Sequence, residues 1–133
     1  MKWYDRDPAR FALEQKLLKE HHKGVCLIKQ RGKWRLKAPL KTARTTYLIE
    51  GIFSGHHPYQ PMRFYVRKPR LKGNPPHMFS GGGLCLHSSD GVGPATTAKV
   101  YLDWAKQWVR TYEYWQRTGR WPVLRRRYCI ASL

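Results

Sequence analysis

The residue with the greatest chemical potential in this chain is Cys85, in the run Gly81-Gly82-Gly83-Leu84-Cys85-Leu86-His87. A thiolate is a strong nucleophile and a good leaving group, so an activated cysteine can carry an acyl group. Glycines immediately before it allow close backbone approach or positive φ. His77 lies eight residues before the cysteine and His87 two after, with Ser88, Ser89 and Asp90 following. These residues suit cysteine acyl chemistry, including a Cys-His-Asp hydrolase, which shares the first step. A cysteine buried in a turn accounts for the same pattern, and motif spacing alone leaves the two open.

Other reactive groups are less well arranged. Cys26, Cys85 and Cys129 are odd in number and form no C-x-x-C pair, which argues against a disulfide framework and a zinc knuckle. His21-His22 and His56-His57 are adjacent pairs whose side chains diverge on a helix or strand, so no metal and no cofactor is expected. The 26 Lys and Arg against 8 Asp and Glu leave a net charge of +18. Such charge attracts phosphate. The cations are dispersed, with the densest runs at Arg67–Lys72 and Arg125–Arg127, so nonspecific attraction for polyanions is expected rather than a dedicated nucleic-acid module. Aromatics beside cations, as in Trp34-Arg35 and Phe64-Tyr65-Val66-Arg67, could stack on bases, but core packing explains most of them.

The elements that must position Cys85 can be read from periodicity. Asp7 to His22 predicts a helix, capped by Asp7, with Pro8 in its first turn and Gly24 ending it. Phe11, Leu13, Leu17 and Leu18 would form its apolar face, with Arg10, Lys16 and Lys19 opposite. Four strands follow at meander spacing: Val25–Gln30, the alternating Trp34–Leu40, the uniformly apolar Tyr47–Phe53, and Met62–Val66. Arg31-Gly32 is a hairpin turn. Lys68 to Pro94 is irregular and rich in proline and glycine, but Leu84 and Leu86 should anchor it to the core. Ala95 to Thr118 predicts a long helix, because Tyr101, Trp104, Trp108, Tyr112 and Trp115 recur at helical spacing. Gly119 ends it. The fold class is α+β.

The 133 residues suit one domain, with a core over about 8–118 and a basic tail over 119–133. Its 18 aromatics exclude a disordered basic tail. No apolar run reaches the roughly 18 residues of a membrane span, and the N-terminus lacks an apolar signal core. A cytoplasmic protein is expected.

In order and spacing these elements resemble the ubiquitin-conjugating enzymes, in a divergent bacterial form. The family's layout is an N-terminal helix, a four-stranded antiparallel meander, a cysteine-bearing loop and a long helix. His57-Pro58-Tyr59-Gln60-Pro61 stands where the family has its Tyr-Pro-x-x-Pro-Pro turn, and Gly82-Gly83-Leu84-Cys85-Leu86 matches its Gly-x-Ile/Leu-Cys-Leu. Val92-Gly93-Pro94-Ala95 stands at its Trp-Ser-Pro. The His-Pro-Asn tripeptide is absent, and His77 occupies the offset of its Asn. The chain also ends without the family's last two helices. The last two departures resemble the compact conjugating enzymes of CBASS-type antiphage operons.

The resemblance implies a thioester-forming acyl transferase. Cys85 would carry the C-terminal carboxyl of a partner, either a cGAS-like nucleotidyltransferase or a ubiquitin-like protein, with an activating enzyme in some systems. His77 would donate to the oxyanion in place of the Asn amide. His87 would lower the thiol pKa or act as base. Gly82 and Gly83 would leave room for the partner's tail, and Asp90 would orient an incoming amine. A non-catalytic basic scaffold or nucleic-acid-binding module is the alternative.

Overall fold

The computed structural model describes residues 1–87 and 91–122. Its elements are α1 (Trp3–Arg6), α2 (Pro8–His21), β1 (Cys26–Gln30), β2 (Lys33–Lys41), β3 (Thr46–Ile52), β4 (Arg63–Lys68) and α3 (Ala98–Thr118). The strands form one antiparallel sheet in the order β1-β2-β3-β4, the expected meander. Arg31 and Gly32 both take positive φ in a two-residue connection, which matches the twist of the strands it joins.

Alternation decides the two faces of the sheet. Leu36, Ala38, Leu40, Ile49 and Phe64 are buried in one core with Tyr101, Leu102, Ala105, Trp108, Val109 and Tyr112 of α3. Trp104 and Trp115 are half-buried at the margins of the α3 stripe. Gly119 closes α3 in the left-handed region at φ 74°. The packing is closest at Gly51, where a Cβ would lie 2.5 Å from the Phe64 ring.

Four readings of the helices are corrected. A short helix precedes the predicted one, and its Trp3 is in the core together with partly buried Trp121, so the core extends beyond 8–118 at both ends. The apolar face of α2 is not Phe11-Leu13-Leu17-Leu18: Leu13 is 42% exposed, while Glu14 is fully buried beside Leu18. Arg10 is not on the solvent face either. Its Nε donates to Glu14 at 3.0 Å, and its terminal nitrogens donate to the carbonyls of Pro94 and Thr96. Finally, α3 begins at Ala98 rather than Ala95. Residues 93–96 form a turn, and the Ala98 N–H is capped by the Glu14 carboxylate at 2.9 Å. Three residues of apparent helix are thus displaced by a cap from another segment.

Glu14 is the centre of this arrangement. Its second oxygen meets His57 Nε2 at 2.5 Å, and the His57 ring packs against both Trp3 and Phe53. Burial pushes the Glu14 carboxyl up, but hydrogen bonds from His57 and the Ala98 N–H, with the charges of His57 and Arg10, outweigh it and hold the group below 4.5.

Two outcomes follow. Gly51→Ala must displace Phe64 and should cost about 1–3 kcal/mol in denaturant unfolding. For Glu14, a depressed folded-state pKa gives stability that is complete above its unfolded value and lost as pH falls through the folded one. Unfolding free energy should therefore decline below about pH 4.5. Glu14→Gln should flatten that decline and lower stability at neutral pH by about 3–5 kcal/mol, because Arg10 and His57 lose their shared partner.

Candidate active site

Cys85 sits on the second arm of a small hairpin. Met78 and Leu84 form an isolated antiparallel bridge. Phe79 N–H donates to Gly83 O at 2.8 Å, and Cys85 N–H donates to His77 O at 2.9 Å. Gly82 turns the tip at φ 90° and donates to Phe79 O. Leu84 N–H donates to Phe64 O at 2.8 Å, which fastens the hairpin to β4. The eight-residue interval between His77 and Cys85 is thus the register of a hairpin.

His77 has φ 60°, in the left-handed region that ordinary side chains rarely adopt. Its carbonyl then accepts both the Cys85 N–H and the Trp108 indole N–H, the latter at 3.1 Å. Its ring lies 5.4 Å from that of Trp121. His87 is half-buried against Tyr101 and Trp104, and its carbonyl faces the thiol at 3.9 Å. The structure therefore brings Cys85, His77 and His87 together, with backbone carbonyls of both histidines beside the cysteine. Gly82 makes the turn, whereas Gly81 and Gly83 line the adjoining groove. Leu84 and Leu86 are buried as expected. Asp90, Ser88, Ser89, Cys129 and the 125–127 arginine run lie outside the described residues.

A sulfur that forms a thioester must be reachable, and here it is not. Cys85 is 1% exposed, because Leu84, Leu86 and the His77 carbonyl hold the segment against α3. Cys26, by contrast, is exposed at the start of β1.

A groove of about 870 Å³ runs past the hairpin. Lys33, Arg35, Arg63, Phe79, Leu86 and His87 contribute to its walls. Sequence reasoning missed this groove and the Arg10–Glu14–His57 brace. The brace had a signal: Glu14 lies three residues after Phe11 and four before Leu18, on the inward face of α2. The groove had only a faint one, the alternation of cations on strands whose other face is apolar.

The α+β layering and the hairpin-borne cysteine define a domain of the ubiquitin-conjugating type. The chain belongs to the type II CBASS E2 proteins, whose family model matches residues 14–127. It is thus a conjugating-enzyme-like protein of CBASS, a family that works with other CBASS proteins. Among solved structures, ubiquitin conjugating enzyme E2 UbcA1 from Agrocybe aegerita is similar at 14% identity and a TM-score of 0.48, over 93% of this chain and 88% of that one. No curated protein matches the chain. No helix among the described residues is long and apolar enough to cross a membrane.

Burial predicts the order of thiol reactivity. In timed iodoacetamide labelling followed by peptide mass spectrometry, native Cys26 should be modified at least about tenfold faster than Cys85, and the two should converge in denaturant. Equal native rates would show that the Cys85 loop opens freely.

Proposed function

We propose that Cys85 accepts the C-terminal carboxyl of a protein partner as a thioester and passes it to an amine. The observation that carries this reading is the position of Cys85 in a conjugating-family chain: it is fixed on a hairpin whose flanking residues, Leu84 and Leu86, line a groove large enough for a peptide. The thiolate attacks the activated carbonyl carbon, the C–S bond forms and the activating group leaves. An amine then attacks the same carbon, the C–N bond forms, a base takes the amine proton and the thiolate departs.

Each tetrahedral intermediate places negative charge on oxygen and needs a donor about 3 Å away. The His77 imidazole is the candidate donor and His87 the candidate base, a reading supported by the contact of each residue's backbone carbonyl with Cys85. Gly82 and Gly83 give the tip a backbone free of side-chain bulk. Asp90 keeps its proposed role of orienting the amine. The family supports a cGAS-like nucleotidyltransferase or a ubiquitin-like protein as partner, with an activating enzyme where the system has one. Because the sulfur is buried in the free protein, loading requires the partner to shift the hairpin and uncover it.

A scaffold without catalysis is the second reading, favoured by that same burial. The two separate on non-reducing gels with the CBASS partner proteins and ATP. A reductant-sensitive adduct in the wild type, absent in Cys85→Ala and trapped as a stable ester in Cys85→Ser, supports the thioester. Partner binding with no adduct supports the scaffold. An adduct that persists in Cys85→Ala removes Cys85 from the chemistry.

A further inference from the structure

The groove beside the hairpin carries positive charge that the protein itself does not neutralise. Arg35 on β2, Ile52 on β3 and Arg63 on β4 are register partners across three strands. They project from the sheet face opposite α3, so two cations stand about 10 Å apart with Ile52 between them. Lys33, two residues before Arg35 on the same face, adds a third. Between Glu20 and Asp90 the sequence has a single carboxylate, Glu50. Glu50 is committed mainly to Arg67 at 2.7 Å and reaches Arg35 only at 3.8 Å. Among the described residues, Lys33 and Arg63 have no ion-pair partner, and the buried Arg35 Nε has no acceptor.

The remaining wall is mixed, with Ser54, Gln60 and Ser80 beside an apolar part. Phe79 is 48% exposed at the hairpin tip, and Leu84 and Leu86 border the groove on either side of Cys85. Clustered like charges repel one another, and a row of unpaired cations beside apolar surface is complementary to an anionic chain that also has carbon to bury.

We propose that this groove binds the C-terminal segment of the protein partner, and that this segment carries acidic side chains shortly before its terminal carboxyl. The inference rests on the acyl-transfer reading above and names the substrate class for it. An extended peptide advances about 3.3–3.6 Å per residue, so acidic residues three apart span the interval between Arg35 and Arg63. Apolar residues nearer the terminus would lie against Phe79, Leu84 and Leu86 and direct the carboxyl towards the Cys85 loop. A single-stranded nucleic acid fits less well. Its successive bases need several open aromatic faces, and of the groove's Phe and Tyr rings Phe53 and Phe64 are buried and Tyr65 is covered by the Arg67 guanidinium at 4.3 Å, which leaves Phe79 exposed.

The test is fluorescence anisotropy at physiological salt, with a labelled peptide bearing two glutamates near its C-terminus and its glutamine counterpart. The acidic peptide should bind about tenfold more tightly. Lys33→Glu/Arg63→Glu should abolish that preference, while Lys16→Glu/Lys19→Glu, the same charge change on α2, should leave it within about twofold. The neutral pair Lys33→Gln/Arg63→Gln should give an intermediate loss, with thermal melts confirming that all variants fold. Equal losses in the groove and α2 variants would reduce the effect to net charge and overturn the proposal. So would a labelled oligonucleotide that binds more tightly than the peptide and is lost selectively in the groove variant. The Cys85→Ala protein should bind the peptide as the wild type does, so absence of an adduct would sink the acyl-transfer reading without deciding peptide binding. An adduct that forms at the wild-type rate in Lys33→Glu/Arg63→Glu would sink the groove alone.

Discussion

A carboxylate taken wholly out of water has to be satisfied from several directions at once, and Glu14 is satisfied from three. Ala98 offers a backbone N–H, His57 a ring nitrogen and Arg10 a guanidinium. These partners come from the first turn of α3, the β3–β4 connection and α2 itself. The Arg10 side chain then reaches past Glu14 to the carbonyls of Pro94 and Thr96. One buried charge thereby ties the segment that follows the cysteine loop to α2 near the start of the chain. Its net worth as an ion pair is modest, since desolvation opposes the attraction. Its consequence is geometric: α3 starts at a set residue, and the indole of Trp108 is delivered at a set height along α3.

That height matters because the Trp108 indole N–H shares the His77 carbonyl with the Cys85 N–H. The left-handed backbone of His77 turns the carbonyl inward to meet both. Buried backbone groups are costly to leave unmade, so the hairpin closes over the cysteine instead of standing away from it. The same bonding that orders Cys85 also hides its sulfur. A nucleophile kept this way is protected from adventitious oxidation and alkylation while its loop is shut, and it depends on a partner to be opened.

The two faces of the sheet divide the work. The face under α3 is apolar and packed to the point where Gly51 has no room for a methyl group. The opposite face concentrates cations with one carboxylate among them. Arg67 is neutralised by Glu50 and lies over Tyr65, whereas Arg63 and Lys33 are left for something outside the chain. Part of the +18 charge that no carboxylate of the chain offsets therefore stands beside the cysteine hairpin, where an incoming tail would meet it.

The order of elements, the hairpin at Arg31-Gly32, the anchoring of Leu84 and Leu86 and the aromatic stripe of α3 were legible in the sequence. Each depends on local periodicity or on turn propensity, which neighbouring residues determine among themselves. Cys85 and its flanking histidines could be named for the same reason, as could the likeness to the conjugating enzymes. The inward turn of Arg10, the exposure of Leu13 and the later start of α3 could not, because each follows from where a distant group lies. Whether a charged side chain is buried depends on partners tens of residues away, and the sulfur's accessibility depends on a carbonyl and an indole from two separate segments. Composition supplied the cations, but only strand register set Arg35 and Arg63 in one row, with Glu50 reaching Arg35 alone of the two.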